Sequence, residues 1–321
     1  MHKPDPKLKH TRASMRDAYG EALLEYGTIN PNMVVLDADI SSSTRTSNFG
    51  NRFPKRFFNL GIAEAGMVDV AVGLALGGKV PFVNTFASLL TLRAAEQVRT
   101  CVAYARTNVK LMGHHAGLSD SFDGPTHHSV FDLSVMRSMP NMTVIVPTDS
   151  VEMRKMVLLV AEYDGPVYMR INREEVPILS DERHEVEIGK GVRLLDGDDI
   201  TIIGTGIMVS RCLEAAEELA ARGISARVLE IHTLKPLDDQ MVMAAAQETG
   251  ALVTAEEHSI IGGLGGAVAE LTTARYPVPL ERVGIGDTFA ESGPYPDLLD
   301  RYGMGVTNIV EKAASALSRK R

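Results

Sequence analysis

Two stretches of this sequence carry residue types that move protons. The first, Phe-Phe-Asn-Leu-Gly-Ile-Ala-Glu-Ala-Gly-Met-Val-Asp-Val at 57–70, sets one carboxylate, Glu64, among apolar and small residues. It reads as a buried strand end, a turn at Gly61 and a closely packed helix. A carboxylate there is costly to bury unless a partner hydrogen-bonds it. The second, Gly-His-His-Ala-Gly-Leu-Ser-Asp-Ser-Phe-Asp-Gly-Pro-Thr-His-His at 113–128, gathers four histidines and two aspartates among glycines and a proline. A buried acid and an ionisable loop in one chain point to proton transfer on a bound small molecule. Each also has a plainer reading. Glu64 alone fits a helix N-terminal acid favoured by the dipole. Asp123-Gly124-Pro125 is turn chemistry, and a loop histidine such as His115 or His127 is usually just solvated. Gly61, Ala63, Ala65 and Gly66 shift the balance at Glu64, because they let a backbone or a flat ligand come close.

The elements that must position these residues alternate along the chain. Strand-like runs occur at 33–36, 80–83, 109–112, 143–146 and 167–169, with helical patterns at 14–26, 62–76, 88–105 and 149–162 between them. Asp149 and Ser150 can cap the last helix. This order predicts a parallel sheet with helices on both faces. Residues 176–197 are charged and irregular and read as a linker with an entry hairpin. A smaller α/β unit follows: strands 200–203, 226–229 and 251–254, helices 207–222 and 238–247, and a glycine-rich turn at 262–266 that opens another helix. The expected organisation is a first domain over 1–175, a linker over 176–197 and a second domain over 198–321.

Bulk properties narrow the function classes. With 321 residues the chain exceeds one ordinary core. Hydrophobic residues at 45% and charged residues at 23% suit a soluble globular protein. A net charge of −8 argues against a general nucleic-acid partner, and the short Arg-Lys-Arg tail at 319–321 reads as a solvated end. No apolar run reaches membrane-spanning length, and the polar start Met-His-Lys-Pro-Asp-Pro-Lys has no signal region, so a cytoplasmic protein is expected. Cys101 and Cys212 lack metal spacing and read as buried structural thiols. Gly204-Thr205-Gly206 has Val209 where a dinucleotide fingerprint needs its third glycine, so it reads as a tight turn. Gly262–Gly266 lacks the Lys-Ser/Thr of a phosphate loop. Arg12, Arg173 and Ser41–Ser43, which follow Asp37-Ala38-Asp39, could grip a phosphate at the carboxyl end of a sheet; surface ion pairs are the equal alternative.

Taken together, these segments resemble the C-terminal half of transketolase, and more closely the small subunit of split, two-gene transketolases, over nearly the whole chain. The resemblance rests on Gly-Ile-Ala-Glu-Ala-Gly-Met at 61–67, Asp-Gly-Pro-Thr-His at 123–127, Ala-Glu-Glu-His-Ser-Ile-Ile-Gly-Gly-Leu-Gly at 255–265 and Gly-Ile-Gly-Asp-Thr-Phe-Ala-Glu-Ser-Gly at 284–293. It implies a pyrimidine-binding domain of the thiamine-diphosphate-binding fold followed by a transketolase C-terminal domain. It also implies that Glu64 hydrogen-bonds the aminopyrimidine of thiamine diphosphate and favours its imino tautomer. Phe86 would pack on that ring and Asp39 would lie in the cofactor pocket. Asp123 and His127 would bind donor-sugar hydroxyls, with His115 toward the far end of the sugar. Arg12, Ser43 and Arg173 match phosphate positions. The family usually has an aromatic where this chain has Leu89, and often another at Leu92; leucine covers a ring but forfeits stacking worth about 0.5–1.5 kcal/mol. The Gly-Asp-Gly…Asn motif that holds Mg²⁺ and the diphosphate is missing, and Asp196-Gly197-Asp198-Asp199 stands in the wrong context for it. The implied assembly is therefore with a separate diphosphate-binding subunit, as α2β2, transferring a two-carbon ketol unit between sugar phosphates. Rival readings are a 2-oxoacid dehydrogenase β chain or deoxyxylulose-phosphate-synthase-like activity that begins by decarboxylating pyruvate, and a non-catalytic scaffold or binding subunit.

Overall fold

The computed structural model describes residues 11–181 and 183–320. The N-terminal segment read as signal-free and the last residue of the basic tail lie outside them. Two open sheets organise the chain. The first has seven strands in the order Thr233–Lys235, Thr143–Ile145, Val167–Ile171, Lys110–His114, Val80–Phe86, Met33–Asp37 and Phe57–Asn59. All its neighbours pair in parallel except Thr233–Lys235, which runs antiparallel to Thr143–Ile145. Four of its strands are buried end to end, as parallel strands covered by helices on both faces must be. The second sheet has the order Leu280–Ile285, Leu252–Ser259, Ile200–Gly204, Ala226–Glu230 and Val192–Leu195, parallel except at the last strand.

The α/β alternation read from the sequence is the architecture observed, with four differences. Phe57–Asn59, expected to be a buried strand end, is an edge strand whose residues are partly or well exposed. The helix expected over 88–105 is broken into Ala87–Leu92, Ala95–Gln97 and a π-helical turn, Val98–Tyr104. Val192–Leu195, inside the segment read as a linker, joins the second sheet. Thr233–Lys235, which follows a strand of the second sheet, returns to extend the first.

That return strand helps join the two sheets. So does a buried ionic junction: Arg170 donates to both oxygens of Asp132 at 2.6–2.7 Å, to the Ser129 carbonyl at 2.7 Å and to the Glu257 carbonyl at 3.0 Å. The Glu257 carboxyl accepts the Leu118 N–H at 2.7 Å. It sits so close to Gly117 (φ +64°) that a side chain there would collide with it. Asp149 caps Ser150–Glu162 as expected, accepting from the N–H groups of Val151 and Glu152. At the glycine-rich turn, the N–H groups of Leu264 and Gly265 are taken by the buried Glu256 carboxyl at 2.6 and 2.8 Å, so this helix start is filled from within. Cys212 is buried, whereas Cys101 is only partly so, which corrects the reading of two buried thiols.

Candidate active site

Every parallel strand of the first sheet ends at the same edge, and the residues singled out in the sequence follow those ends in spatial order. Arg173 follows Val167–Ile171. His115, with Asp123 and His127 in its loop, follows Lys110–His114. Phe86 closes Val80–Phe86 and leads into Leu89. Asp39 and Ser43 follow Met33–Asp37, and Glu64 follows Phe57–Asn59. Open α/β sheets bind ligands at their carboxyl edge because the loops converge there. Two of these residues leave their strands at positive φ, Asp39 at 66° and His115 at 54°. Such conformations are uncommon outside glycine and concentrate at functional sites.

One flank of this edge is polar. Asp120, fully buried, faces His115 Nδ1 at 3.4 Å and pairs with Arg173, whose Nη1 also lies 3.5 Å from Asp123. Burial opposes the Asp120 anion, but His115, Asp123 and Arg173 outweigh it and hold the carboxyl down at about 2. Burial pushes His115 below the usual imidazole range against the pull of Asp120, which favours the neutral ring. Arg16 ties this flank together: its guanidinium donates to the Ser43 carbonyl at 3.0 Å and the Arg173 carbonyl at 3.1 Å. Burial, then Arg45 and Arg173, push Arg16 below the ordinary arginine range. Asp39 is exposed and accepts from Asn59 Nδ2 at 2.8 Å, while Asn59 accepts the N–H of Gly61 (φ +72°) at 3.0 Å. This chain of contacts fixes the turn that presents Glu64.

The other flank is apolar. The Phe86 ring stands 4.8 Å from the His115 ring and 5.4 Å, edge-on, from that of His127. Next to it opens a pocket of about 640 Å³ lined by Leu89, Leu92, Arg93, Pro125, Thr126, Phe131 and others. Glu64, only 1% exposed, is the first residue of the helix Glu64–Leu76. The sequence suggested an apolar surrounding for it, and the structure corrects this. Arg93 Nη1 donates to both Glu64 oxygens, at 3.0 and 2.7 Å, while the Arg93 side chain stays 49% exposed. The break after Ala87–Leu92 sets Arg93 at this place. The predicted pieces thus converge, apart from Arg12. It donates to the Glu175 carbonyl and lines a different cleft with Arg211, Tyr295 and Asn308.

This order of domains and motifs matches known proteins. Residues 11–178 match the model described as "Transketolase, pyrimidine binding domain", and residues 189–309 match "Transketolase, C-terminal domain". The chain belongs to the transketolase family. It is 43% identical to a 6-deoxy-6-sulfo-D-fructose transketolase subunit of Clostridium sp. (strain MSTE9), over 95% of both chains. It is also 43% identical to a putative transketolase C-terminal section of Methanocaldococcus jannaschii, over 98% of this chain and 99% of that one. A solved chain described as a split gene transketolase, inactive beta4 tetramer, is 45% identical and superposes with a TM-score of 0.89 over 97% of this chain and all of its own. The resemblance to the small subunits of split transketolases, seen in the sequence, therefore extends to the fold.

Sequence reasoning missed three residues of the site. Arg93 had one usable signal: a buried carboxylate requires a counter-charge, and an arginine follows the apolar run that begins at Phe86. Asp120 stood in the histidine-rich stretch but was passed over for Asp123, because the turn signal sits there. Arg16 gave no local signal, since its role is to bridge backbone carbonyls distant in sequence.

Proposed function

We propose that this chain is the pyrimidine-binding half of a two-chain transketolase, working with a diphosphate-binding companion on sugar phosphates. The observation that carries the reading is the common sheet edge that collects Arg173, His115, Phe86, Asp39 and Glu64 from five adjacent parallel strands. The residues fit thiamine diphosphate: a buried carboxylate at a helix start, an aromatic ring flanked by two imidazoles, and an apolar pocket lined by Leu89, Leu92 and the Arg93 that holds Glu64. When bound, that cofactor supplies the carbon–carbon bond chemistry.

The chain's own residues prepare and orient. Glu64 holds a proton at the pyrimidine ring nitrogen. Arg93 keeps the carboxyl placed and, being half exposed, can swing aside as the ring enters. Phe86, with Leu89 and Leu92 on the pocket wall, covers a ring face and excludes water; Asp39 borders the cofactor pocket. Asp123 and His127 bind donor hydroxyls, and His115, faced by Asp120, lies toward the far end of the sugar. Arg173 and Ser43 form the phosphate end, and Arg12, committed to its own cleft, stays outside this set. The companion would bring Mg²⁺ and hold the diphosphate, because Asp196-Gly197-Asp198-Asp199 forms only the turn between two strands of the second sheet. Ile62, Val70 and Leu76, exposed on and beside the Glu64 helix, suit burial against that companion in an α2β2 assembly. No helix among the described residues is long and apolar enough to cross a membrane, and phosphorylated donors suit the cytoplasm.

The test is reconstitution. The chain, its companion, thiamine diphosphate and Mg²⁺ are mixed and offered ketose phosphates or pyruvate as donor. Ketol transfer should require both chains. Pyruvate decarboxylation without ketol transfer, or full activity from this chain alone, would overturn the reading.

A further inference from the structure

Beyond the five strands that carry the candidate site lies a second set of titratable groups that the proposed reaction does not use. Glu152 is on the helix Ser150–Glu162, His184 is in the segment joining the two sheets, Glu230 ends the strand Ala226–Glu230, and His232 follows it. All four are buried. His184 Nε2 lies 3.8 Å from Glu152 Oε1 and 4.0 Å from Glu230 Oε2, and His232 Nε2 lies 4.0 Å from Glu152 Oε1. One donor atom each from Glu152, His184 and Glu230 fall within 4.8 Å of one another. Glu152 Oε1, Glu230 Oε1 and His232 Nε2 have no hydrogen-bond partner among the described residues. Among the described residues no lysine or arginine pairs with either carboxylate.

The surroundings aim these atoms inward. Glu152 Oε2 accepts the Thr148 N–H at 2.5 Å, which leaves Oε1 facing the cluster. His232 Nδ1 lies 2.9 Å from Thr233 Oγ1; with its proton there, Nε2 presents a lone pair. Buried carboxylates and imidazoles that lack hydrogen-bond partners need either protons or a cation. A cleft of about 990 Å³, lined in part by His184, His232, Lys155 and Val192, opens from the surface onto the two imidazoles and gives a way in.

We propose that Glu152, His184, Glu230 and His232 bind one divalent transition-metal ion of the zinc class, a structural site distinct from the cofactor site. Two carboxylate oxygens and two imidazole nitrogens neutralise such an ion and suit its tetrahedral preference. Mg²⁺ and Ca²⁺, which favour oxygen donors, fit less well. Metal–ligand bonds of about 2.0–2.2 Å in a tetrahedron place donor atoms about 3.3–3.6 Å apart; Glu152, His184 and Glu230 need close by only a few tenths of an ångström to a little over one, and His232 closes toward Glu152 from 4.0 Å. The ion would tie the connecting segment to both sheets at once. Without it, burial, opposed by the Thr148 N–H, pushes Glu152 up to about 8, and burial pushes His232 down to about 4, so these two favour their neutral forms.

The experiment uses the full chain carrying no histidine tag. After chelation and buffer exchange it is titrated with Zn²⁺ by calorimetry, its melting midpoint is followed, and Co²⁺ is added separately to read the visible bands of a four-coordinate ion. One equivalent should bind, the midpoint should rise, and the Co²⁺ bands should be those of a tetrahedral site. His184→Gln and His232→Gln should each weaken binding by about tenfold or more, while Glu64→Gln leaves it unchanged. Substoichiometric binding to a wild-type chain with native circular dichroism would overturn the proposal, whether or not the variants fold. So would full binding that survives both histidine substitutions.

Discussion

Two buried clusters in this protein use the same side-chain chemistry and solve the problem of buried charge differently. At the sheet edge, Asp120 faces His115 and is paired by Arg173, and nearby Asp132 is gripped by Arg170. In the connecting region, Glu152 and Glu230 face His184 and His232 with no arginine or lysine between them among the described residues. Arginine keeps a carboxylate ionised and leaves guanidinium surface for an anionic ligand. Without arginine, burial favours the neutral carboxyl of Glu152 and Glu230 unless a cation arrives. The first arrangement suits a site that meets phosphorylated molecules, the second a site that meets a metal.

The largest expected effect comes from removing an arginine at the first kind of cluster. Arg170→Met strands Asp132 and also withdraws donors from the Ser129 and Glu257 carbonyls. It should cost about 3–5 kcal/mol in urea unfolding; a loss under about 1 kcal/mol would mean that the junction does not hold the two sheets.

Asp120→Asn should cost less, about 1–3 kcal/mol near neutral pH. Its native value of about 2 lies below the unfolded value near 3.9, so the pairing contributes in full above the unfolded value and is lost as pH falls through the native one. The stability gap between wild type and variant should therefore be flat near neutrality and close between about pH 4 and pH 2. A gap that stays constant down to pH 2 would show that Asp120 is not held ionised by its neighbours.

The smallest effect is expected in the arginine-free cluster. In chelator, Glu152→Gln keeps the acceptor for the Thr148 N–H and removes no ion pair, so it should change stability by less than about 1 kcal/mol. A loss as large as that of Asp120→Asn would erase the contrast between the two regions.

Much of the sheet edge was legible in the sequence, because each strand is a local apolar run and the residue after it is found by counting. Glu64 and His115 stood out by residue type in their stretches, whereas Phe86 and Asp39 came only with the family resemblance. What escaped depends on contacts between distant segments. Arg93 meets Glu64 only because the helix expected over 88–105 breaks after Leu92 and turns its arginine back. Thr233–Lys235 reads as a stretch of the second domain, yet it pairs with Thr143–Ile145 of the first sheet. That return is also what carries His232 to Glu152, so neither the cluster nor its ligand set could be read from spacing. Asp120 and Asp123 look alike in sequence, and only burial separates the paired acid from the exposed one.

The central claim is that Glu64 acts on the pyrimidine of a cofactor shared with a second chain. The most direct measurement is ketol transfer by the reconstituted complex carrying Glu64→Gln, with its Tm and cofactor affinity followed in parallel. A loss of about 10²–10⁴-fold in turnover, in a complex that still assembles and melts as wild type does, is the predicted result. Turnover within about twofold of wild type in that same complex would contradict it.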